Sequence, residues 1–244
     1  MRKLQITIGK NTVRYIQYGE GDDVVLLHGW GQNIEMMHPL GNNISGKRIT
    51  ILDFPGFGES TEPDKSWTID SYVEFLEEFV RKLKLKNITL IGHSFGGRVA
   101  IGYASRNKVD RVVLLGSPCV RCERTSTKEK ILKALKKVPL LDGFGEYMKK
   151  FIGSEDYKKA SPVMREILVS VINQDLSEYA KKIDAPTLLI WGSLDTASPV
   201  DDAKKLEQLL KDGALIVLDG YTHYAYLEAL PQVSNIINSF LGGK

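Results

Sequence analysis

The chain has 244 residues and a formal net charge of +3 at pH 7, and it is 43% hydrophobic and 26% charged. These values are typical of one large α/β domain with a sizeable core. The charge is too small to indicate a nucleic-acid partner, and no stretch approaches the roughly 20 apolar residues that a membrane helix requires. The basic N-terminus alternates polar and apolar residues, unlike a signal peptide, so we expect a cytoplasmic protein without a membrane partner.

The first two predicted elements alternate polar and apolar residues, at 4–8 and 12–18, with Gly9-Lys10-Asn11 between them. This pattern predicts an antiparallel hairpin at a sheet edge. The next six predicted strands are short continuous apolar runs, which are typical of strands buried on both faces. They lie at 24–27, 49–52, 88–91, 112–115, 187–191 and 215–218. Together the runs predict a mostly parallel, eight-stranded sheet.

Amphipathic stretches separate these runs, as the crossovers of a parallel sheet require. The clearest extends from Thr68 to Lys84, where apolar residues recur at three- and four-residue spacing. Similar patterns occur at 99–105, 199–210 and 225–241. The sequence therefore predicts helices on both faces of the sheet. The stretch around His38 and Pro39 is interpreted as irregular.

The alternation of strands and helices breaks between Pro118 and about Asp184. About 65 residues pass there without a buried-strand run, and they contain helical patterns at 128–137 and 163–172. A crossover rarely needs such length unless it forms a lid or a second layer. We therefore predict a core formed by residues 1–118 and 185–244, with a helical insertion at 119–184 after the sixth strand.

Two features of this insertion suggest further chemistry. Cys119 and Cys122 form a C-x-x-C pattern, which could be a redox pair or half of a zinc site. No second such pair and no histidine pair at ligand spacing accompanies it, so we expect two plain thiols, with no metal and no cofactor. The segment from Cys119 to Ala160 carries eleven basic and six acidic residues. This excess suggests either a solvated helix face or a rim that attracts an acidic carrier protein.

The strongest chemical motif is Gly92-His93-Ser94-Phe95-Gly96, which lies between a predicted buried strand and a predicted helix. A sharp strand-to-helix turn forces the residue at its tip into a strained conformation, and glycines give it the space it needs. Such a turn would expose the Ser94 hydroxyl at the carboxyl end of the sheet. It would also place the Phe95 N–H at a helix N-terminus, where developing negative charge is stabilised. A glycine-rich connection without catalysis is the alternative.

A serine hydroxyl becomes an effective nucleophile when a histidine accepts its proton and a carboxylate orients that histidine. His223 follows the last predicted strand and would lie in a loop at the same edge as Ser94. Asp195 follows the preceding predicted strand, while Asp53 follows a strand that comes before the nucleophile. The order of nucleophile, acid and base favours Asp195. We interpret Asp53 as a structural residue that bonds turn backbone.

Over nearly its whole length the chain resembles the α/β-hydrolase fold family. The motifs that carry the resemblance are His28-Gly29-Trp30-Gly31, Asp53 to Ser60, the Gly92–Gly97 elbow, Gly192 to Pro199, and His223 followed by Leu227-Glu228 and Pro231. The resemblance implies an α/β-hydrolase fold whose insertion at 119–184 is the helical cap.

The resemblance also implies specific roles for five residues. Ser94, Asp195 and His223 would form the catalytic triad, and the backbone N–H groups of Trp30 and Phe95 would form the oxyanion hole. We expect a serine carboxylesterase that acts on a small-molecule ester. A signalling receptor that retains the triad, or a hydrolase of acyl-carrier-protein esters or thioesters, is the alternative.

Departures from particular subfamilies narrow the expected reaction. Haloalkane dehalogenases and epoxide hydrolases use an aspartate nucleophile, whereas this chain has Ser94. Carbon–carbon bond hydrolases of aromatic degradation typically have tryptophan after the catalytic histidine and asparagine near the nucleophile, where this chain has Tyr224 and His93. The His-Gly-Trp-Gly and Gly-Ser-Leu-Asp runs are similar to those of the esterases that demethylate pimeloyl carrier-protein esters, although their elbow usually reads Trp-Ser-Leu.

Overall fold

A computed structural model describes residues 4–119 and 160–242 of the chain. Within these residues, eight strands form one sheet in the order β1-β2-β4-β3-β5-β6-β7-β8. The strands are β1 (Leu4–Ile8), β2 (Asn11–Tyr18), β3 (Asp22–Leu27), β4 (Lys47–Leu52), β5 (Thr89–His93), β6 (Arg111–Leu115), β7 (Thr187–Gly192) and β8 (Gly213–Leu218). β1 pairs antiparallel with β2, and β2 with β4, while every other pair is parallel. The predicted hairpin, edge position and parallel sheet are confirmed.

Helices cover both faces of this sheet. They are α1 (Ile34–Gly41), α2 (Ile69–Leu83), α3 (Phe95–Ala104), α4 (Pro162–Asn173), α5 (Ser177–Ala180), α6 (Val200–Leu209), α7 (Ala225–Glu228) and α8 (Leu230–Phe240). The sheet divides the core into two apolar clusters, one on each face. Val25 of β3 belongs to the cluster that includes α2 and α3, whereas Val24 belongs to the cluster that includes α1 and α8. Both residues are fully buried, which explains the unbroken apolar run of β3. Burial on both faces was wrong for the run at 215–218, because β8 lies at the edge of the sheet, where Leu215 and Ile216 are half-buried and Val217 is exposed.

The structure corrects two predictions about helices. The stretch around His38 is not irregular, because it forms α1 even though Pro39 lies inside the helix. The cap residue Asn33 makes no side-chain hydrogen bond, but the Asp53 carboxylate accepts a bond of 2.7 Å from the N–H of Ile34. The predicted C-terminal helix at 225–241 is interrupted at Ala229, where α7 ends and α8 begins with a proline in its first turn.

A buried arginine of α3 bonds the chain just before the predicted insertion and again within it. Arg98 donates hydrogen bonds to the carbonyl of Pro118, at 2.7 Å, and to that of Gln174. The N–H of Leu176 bonds the carbonyl of Cys119 at 3.1 Å, so residues 118–119 and 174–176 lie side by side at Arg98. Burial lowers the pKa of Arg98 to about 10.

The described part of the insertion contains α4, which matches the helical pattern predicted at 163–172. The pattern predicted at 128–137 lies outside the described residues, and so does the charged segment at 121–159. The domain boundaries at 118/119 and 184/185 stay predictions. No helix among residues 4–119 and 160–242 has the length and apolar character needed to span a membrane.

Candidate active site

Ser94 lies at the tip of a sharp turn between β5 and α3, with φ 49° and ψ −111°. This is a strained conformation for a residue with a side chain. The turn closes because its glycines allow close approach of backbone. A Cβ atom on Gly96 would lie 2.2 Å from the Leu27 carbonyl oxygen, and one on Gly92 would lie 2.5 Å from the Cα of Gly97. The predicted elbow is therefore present in the structure.

His223 and Asp195 lie together at the carboxyl edge of the sheet. The Nδ1 atom of His223 is 2.8 Å from Oδ2 of Asp195. The other carboxylate oxygen of Asp195 accepts hydrogen bonds from the N–H groups of Ala197, at 2.8 Å, and Ser198, at 2.7 Å. Because the Asp195 side chain is fully buried, these bonds fix the orientation of the carboxylate toward the histidine.

The loop that carries His223 is held from both sides. On one side, the Glu228 carboxylate accepts hydrogen bonds from the N–H and the hydroxyl of Thr222, at 2.7 and 2.5 Å. On the other side, a Cβ on Gly192 would lie 2.3 Å from the Thr222 carbonyl oxygen, so the end of β7 touches this loop directly. The Leu227-Glu228 motif seen in the sequence thus has a local structural role.

The structure brings the strand that ends before Ser94 and the His223–Asp195 pair to one place. The Ser94 N–H bonds the carbonyl of Leu115 at 3.0 Å, and the next residue, Gly116, lies against the pair. A Cβ on Gly116 would be 3.1 Å from His223 Nδ1 and 3.2 Å from Asp195 Oδ2. Gly116 has φ +53° and follows a predicted strand, so a glycine at that strand end was the sequence signal for this contact.

Trp30 and Phe95, whose N–H groups were predicted to form the oxyanion hole, are neighbours. Their rings pack edge to face with centroids 5.5 Å apart. Phe95 is the first residue of α3, and Trp30 follows the end of β3. Phe57 packs against both rings, at 4.8 Å from Trp30 and 6.0 Å from Phe95. These aromatic contacts hold the loop of Trp30, the loop of Phe57 and the start of α3 together beside Ser94.

His28 connects the Trp30 loop with the loop after β4. Its Nε2 accepts a hydrogen bond of 2.9 Å from the Phe54 N–H, so the proton of the neutral ring lies on Nδ1, which donates to the Gly29 carbonyl at 2.7 Å. Complete burial lowers the pKa of His28 to about 4. Both ring nitrogens are engaged with backbone, which assigns His28 a structural role.

Asp53 is fully buried and bonds turn backbone, as the sequence interpretation expected. One oxygen accepts the Ile34 N–H at 2.7 Å and the other accepts the Glu59 N–H at 2.9 Å, while Arg14 approaches to 3.6 Å. Burial raises the pKa of the Asp53 carboxyl, against the lowering effect of the two N–H groups and Arg14.

The C-x-x-C pattern is only half described, because Cys122 lies outside the described residues. The Cys119 thiol is 1% exposed, and burial raises its pKa to about 12, although Arg98 acts to lower it. A thiol in this environment is a poor nucleophile. Within residues 4–119 and 160–242, no group of three or more histidine, cysteine, aspartate or glutamate side chains is arranged to hold a metal ion.

Sequence reasoning treated His93 only as the variable position of the elbow. In the structure it is 1% exposed and its ring lies 4.8 Å from that of His223, centroid to centroid. Its Nδ1 is 3.1 Å from Oε1 of Gln32, and its Nε2 is 3.1 Å from the His223 carbonyl oxygen. No local pattern predicts these contacts, since they join residues 61 and 130 positions apart.

Comparison with known proteins agrees with this geometry. A family model described as "alpha/beta hydrolase fold" matches residues 23–139, and one described as "TAP-like protein" matches residues 169–243. A pimeloyl-[acyl-carrier protein] methyl ester esterase from Nitrosospira multiformis is 28% identical over 238 residues, which cover 86% of this chain and 90% of the relative. A 2-hydroxy-6-oxo-6-(2'-aminophenyl)hexa-2,4-dienoic acid hydrolase from Metapseudomonas resinovorans is 25% identical, covering 97% of this chain and 89% of the relative.

Solved structures show the same architecture. A crystal structure of a serine hydrolase involved in carbazole degradation superposes with a TM-score of 0.77 and 25% identity, covering 99% of this chain and 98% of that one. With the eight-stranded sheet and the elbow, these matches show that the chain belongs to the α/β hydrolase fold family. Its relatives include esterases and carbon–carbon bond hydrolases, so the family alone leaves the reaction open.

Proposed function

We propose that this protein is a serine hydrolase that cleaves a carboxylic ester through an acyl-enzyme. The observation that carries the proposal is the His223–Asp195 pair, joined at 2.8 Å beside a strained Ser94 at the same sheet edge. A carboxylate that is buried, oriented by two N–H groups and bonded to histidine Nδ1 keeps the imidazole in the tautomer whose Nε2 can accept a proton.

The proposed reaction has two halves. Ser94 Oγ attacks the ester carbonyl while His223 Nε2 accepts the hydroxyl proton, and the same nitrogen then donates that proton to the departing alcohol. In the second half, His223 removes a proton from water, the resulting nucleophile attacks the acyl-enzyme, and the acid leaves as Ser94 recovers its proton. Asp195 stabilises the imidazolium formed in each half.

The negative charge on the tetrahedral oxygen needs its own donors. The Phe95 N–H lies at the first position of α3, where unpaired N–H groups and the helix dipole favour an anion. The Trp30 N–H is the second proposed donor, held near Phe95 by the aromatic contact between the two side chains. Oxyanion donors of this kind contribute about 10²- to 10³-fold each to kcat.

Ester cleavage is favoured over carbon–carbon bond cleavage by two positions beside the pair. Tyr224 follows the histidine and His93 precedes the serine, where the carbon–carbon hydrolases that the sequence was compared with typically carry tryptophan and asparagine. The similarity to the pimeloyl carrier-protein esterase supports the same choice. A carrier-protein partner stays a proposal, because the basic segment at 121–159 that would bind it lies outside the described residues.

The test is turnover of p-nitrophenyl esters of increasing acyl length by the wild-type protein and by Ser94→Ala. We expect many turnovers per molecule by the wild type and loss of activity in the variant. A single burst without further turnover would favour the receptor alternative. If the wild type hydrolyses none of the esters but cleaves a vinylogous 1,5-diketone, the ester proposal is wrong.

The carrier-protein proposal needs a different measurement. Steering by a basic rim is screened over about 8 Å at physiological salt, so it should act on association and weaken as salt rises. We expect salt, and Lys133→Glu/Lys136→Glu/Lys137→Glu, to lower kcat/KM for a carrier-linked ester but not for a small neutral ester. Identical responses of the two substrates would exclude the carrier.

A further inference from the structure

His93 lies between the two loops that the proposed mechanism has to hold in place. It ends β5, immediately before Ser94, and it is 1% exposed. One ring nitrogen faces the backbone of the loop that carries the proposed base, since Nε2 is 3.1 Å from the His223 carbonyl oxygen. The other faces Gln32, which belongs to the turn after β3, with Nδ1 at 3.1 Å from Oε1.

Gln32 extends this contact to the oxyanion loop. Gln32 Oε1 also accepts a hydrogen bond of 2.9 Å from the Gly29 N–H. The backbone N–H of Gln32 donates to the Gly29 carbonyl at 3.2 Å. Gly29 and the His93 ring are in close contact, because a Cβ on Gly29 would lie 2.8 Å from His93 Nδ1. Gly29 directly precedes Trp30, so a displacement of Gln32 would move the proposed Trp30 donor.

The two oxygens that face the His93 ring limit how it can bond. The Gly29 N–H requires an oxygen at Gln32 Oε1, so rotating the amide would place two donors face to face. His93 therefore faces an acceptor from each nitrogen, and a neutral ring has one N–H for two oxygens. Burial lowers the pKa of His93 well below its ordinary value, with further lowering by the charges of His223 and His28 and against the raising effect of the His223 carbonyl, so the ring is neutral and donates to one of the two oxygens at a time.

The ring is also clamped by aromatic side chains from the loop and helix that follow His223. Its centroid lies 5.5 Å from that of Tyr224 and 4.7 Å from that of Tyr226. These contacts of the His93 ring come from the His223 loop, from α7 and from the turn after β3. His93 is thus a bridge between elements that the sequence separates by more than 190 residues.

We propose that His93 and Gln32 are positioning residues, which hold the His223 backbone and the Gly29–Trp30 loop at a fixed separation around Ser94. This inference rests on the proposed function, because it assigns both loops to the catalytic machinery. The link acts on the placement of the base and of the oxyanion donor. Its loss should lower kcat and change KM little.

Three substitutions of His93 separate the two arms of the link. The amide nitrogen of glutamine occupies the place of Nε2 and can donate to the His223 carbonyl, whereas that of asparagine occupies the place of Nδ1 and can donate to Gln32. Leucine provides neither donor. We expect kcat for a p-nitrophenyl ester to fall at least tenfold in His93→Leu, with KM within about threefold, and to be partly recovered in His93→Gln and His93→Asn.

Gln32→Met removes the other side of the link with little change in volume. Its matched control is Gln17→Met, because Gln17 also makes one amide hydrogen bond, to Thr50 Oγ1 at 3.0 Å, but lies on β2 away from the site. We expect a several-fold lower kcat in Gln32→Met and none in the control, at similar melting temperatures. Equal kcat losses in the leucine, glutamine and asparagine variants, or a kcat within twofold of wild type in a folded His93→Leu, would overturn the proposal.

A measurement without substrate keeps this inference separate from the proposed function. In protein labelled with ¹⁵N-histidine, we expect Gln32→Met to shift the ring nitrogens of both His93 and His223, and Gln17→Met to shift neither. Unmoved His223 resonances in Gln32→Met would contradict the link whatever the activity. By contrast, a wild type that hydrolyses no ester and whose Ser94 does not react with a fluorophosphonate would contradict the proposed function while the resonances still report on the link.

Discussion

The sheet presents two regions in which a buried aspartate and a histidine follow neighbouring strands, and in one of them the carboxylate bonds the imidazole. Asp53 and His28 follow β4 and β3, while Asp195 and His223 follow β7 and β8. Each carboxylate oxygen of Asp53 accepts a hydrogen bond from a backbone N–H, and both ring nitrogens of His28 make hydrogen bonds with backbone groups. Asp195 gives one oxygen to backbone and the other to His223.

Burial of a carboxylate or of a histidine therefore does not identify a catalytic group. Both aspartates are among the most buried charged residues of the described chain. What differs is the partner: a carboxylate bonded to imidazole Nδ1 polarises the ring, whereas one bonded only to N–H groups ties a turn together. The first region would support the fold around the oxyanion loop, and the second would perform proton transfer.

We expect the largest loss of activity from removing the proposed nucleophile. We expect Ser94→Ala to lower kcat by about 10⁴- to 10⁶-fold, and Ser94→Ala/His223→Ala to lose no more than the worse single variant, because the residues act as a unit. Steady-state ester hydrolysis measures this. Ser234→Ala is a matched control, since Ser234 is equally buried but bonds the Leu230 carbonyl in α8. Retention of more than a tenth of wild-type activity would show that Ser94 is not the nucleophile.

A second test replaces each aspartate by asparagine. Asp195→Asn should lower kcat by about 10³- to 10⁴-fold, because the amide can impose the wrong tautomer on His223. Asp53→Asn should leave kcat near wild type and reduce the free energy of unfolding by about 1–3 kcal/mol, because one N–H group of Ile34 or Glu59 would then face a donor. Urea denaturation and kinetics on the same samples separate the effects. Equal kcat losses in two folded variants would remove our reason for choosing Asp195.

The two aspartates show how much of the site can be predicted from the order of strands and motifs along the sequence. The apolar runs of β3 to β7 predicted these strands because residues buried on both faces leave little choice of side chain, whereas the run of β8 lies in an exposed edge strand. The positions of Asp195 and His223 after consecutive strands then predicted that they meet, since parallel strands end at one edge of the sheet. Asp53 was assigned to turn backbone by the same order, and the structure provides its partners in Ile34 and Glu59.

The features that sequence reasoning missed depend on contacts between distant segments. α1 begins with a cap supplied by Asp53, nineteen residues away, so the local sequence around Asn33 gives no such signal. The Gln32–His93 contact joins the turn after β3 to the end of β5, and it exists only once these two strands are paired. The contact of Gly116 with the pair exists only after β6, β7 and β8 are aligned, so the glycine at the end of a predicted strand was its local signal.

A third prediction concerns His28, the buried histidine of the structural region. Its pKa in the folded protein is about 4, against an ordinary value of 6.5, so between these values the unfolded chain binds more protons. Stability is therefore complete above pH 6.5 and is lost as the pH falls toward 4. The contribution of His28 is about 3 kcal/mol by the relation between pKa and free energy.

Urea denaturation from pH 7.5 to 4.5 measures this dependence. His28→Gln can still accept the Phe54 N–H but cannot titrate, so its free energy of unfolding should fall less steeply with acid than that of the wild type. His38→Gln, a half-buried histidine of α1, controls for removing a histidine elsewhere. Parallel curves for wild type and His28→Gln would show that His28 does not bind protons on unfolding in this range.

The smallest expected effect tests the geometry of the catalytic region without touching either member of the pair. Gly116→Ala would place a Cβ 3.1 Å from His223 Nδ1, tighter than an ordinary contact, so the pair must shift by a few tenths of an ångström. Because a misplacement of 1 Å costs about 10²-fold in rate, we expect kcat to fall roughly threefold to tenfold. The alanine is also strained, since Gly116 has φ +53°.

Gly9→Ala separates that strain from the contact with the pair. Gly9 has φ +57° in the β1–β2 turn, and a Cβ there would meet nothing within 4 Å. Both alanines should therefore lower the melting temperature to a similar extent, because each holds a side chain in the left-handed region at a cost of about 1 kcal/mol. Only Gly116→Ala should lower kcat. If kcat is unchanged in Gly116→Ala, the His223–Asp195 pair tolerates displacement at this edge, and catalysis would depend less on its exact placement than the contrast with Asp53 and His28 suggests.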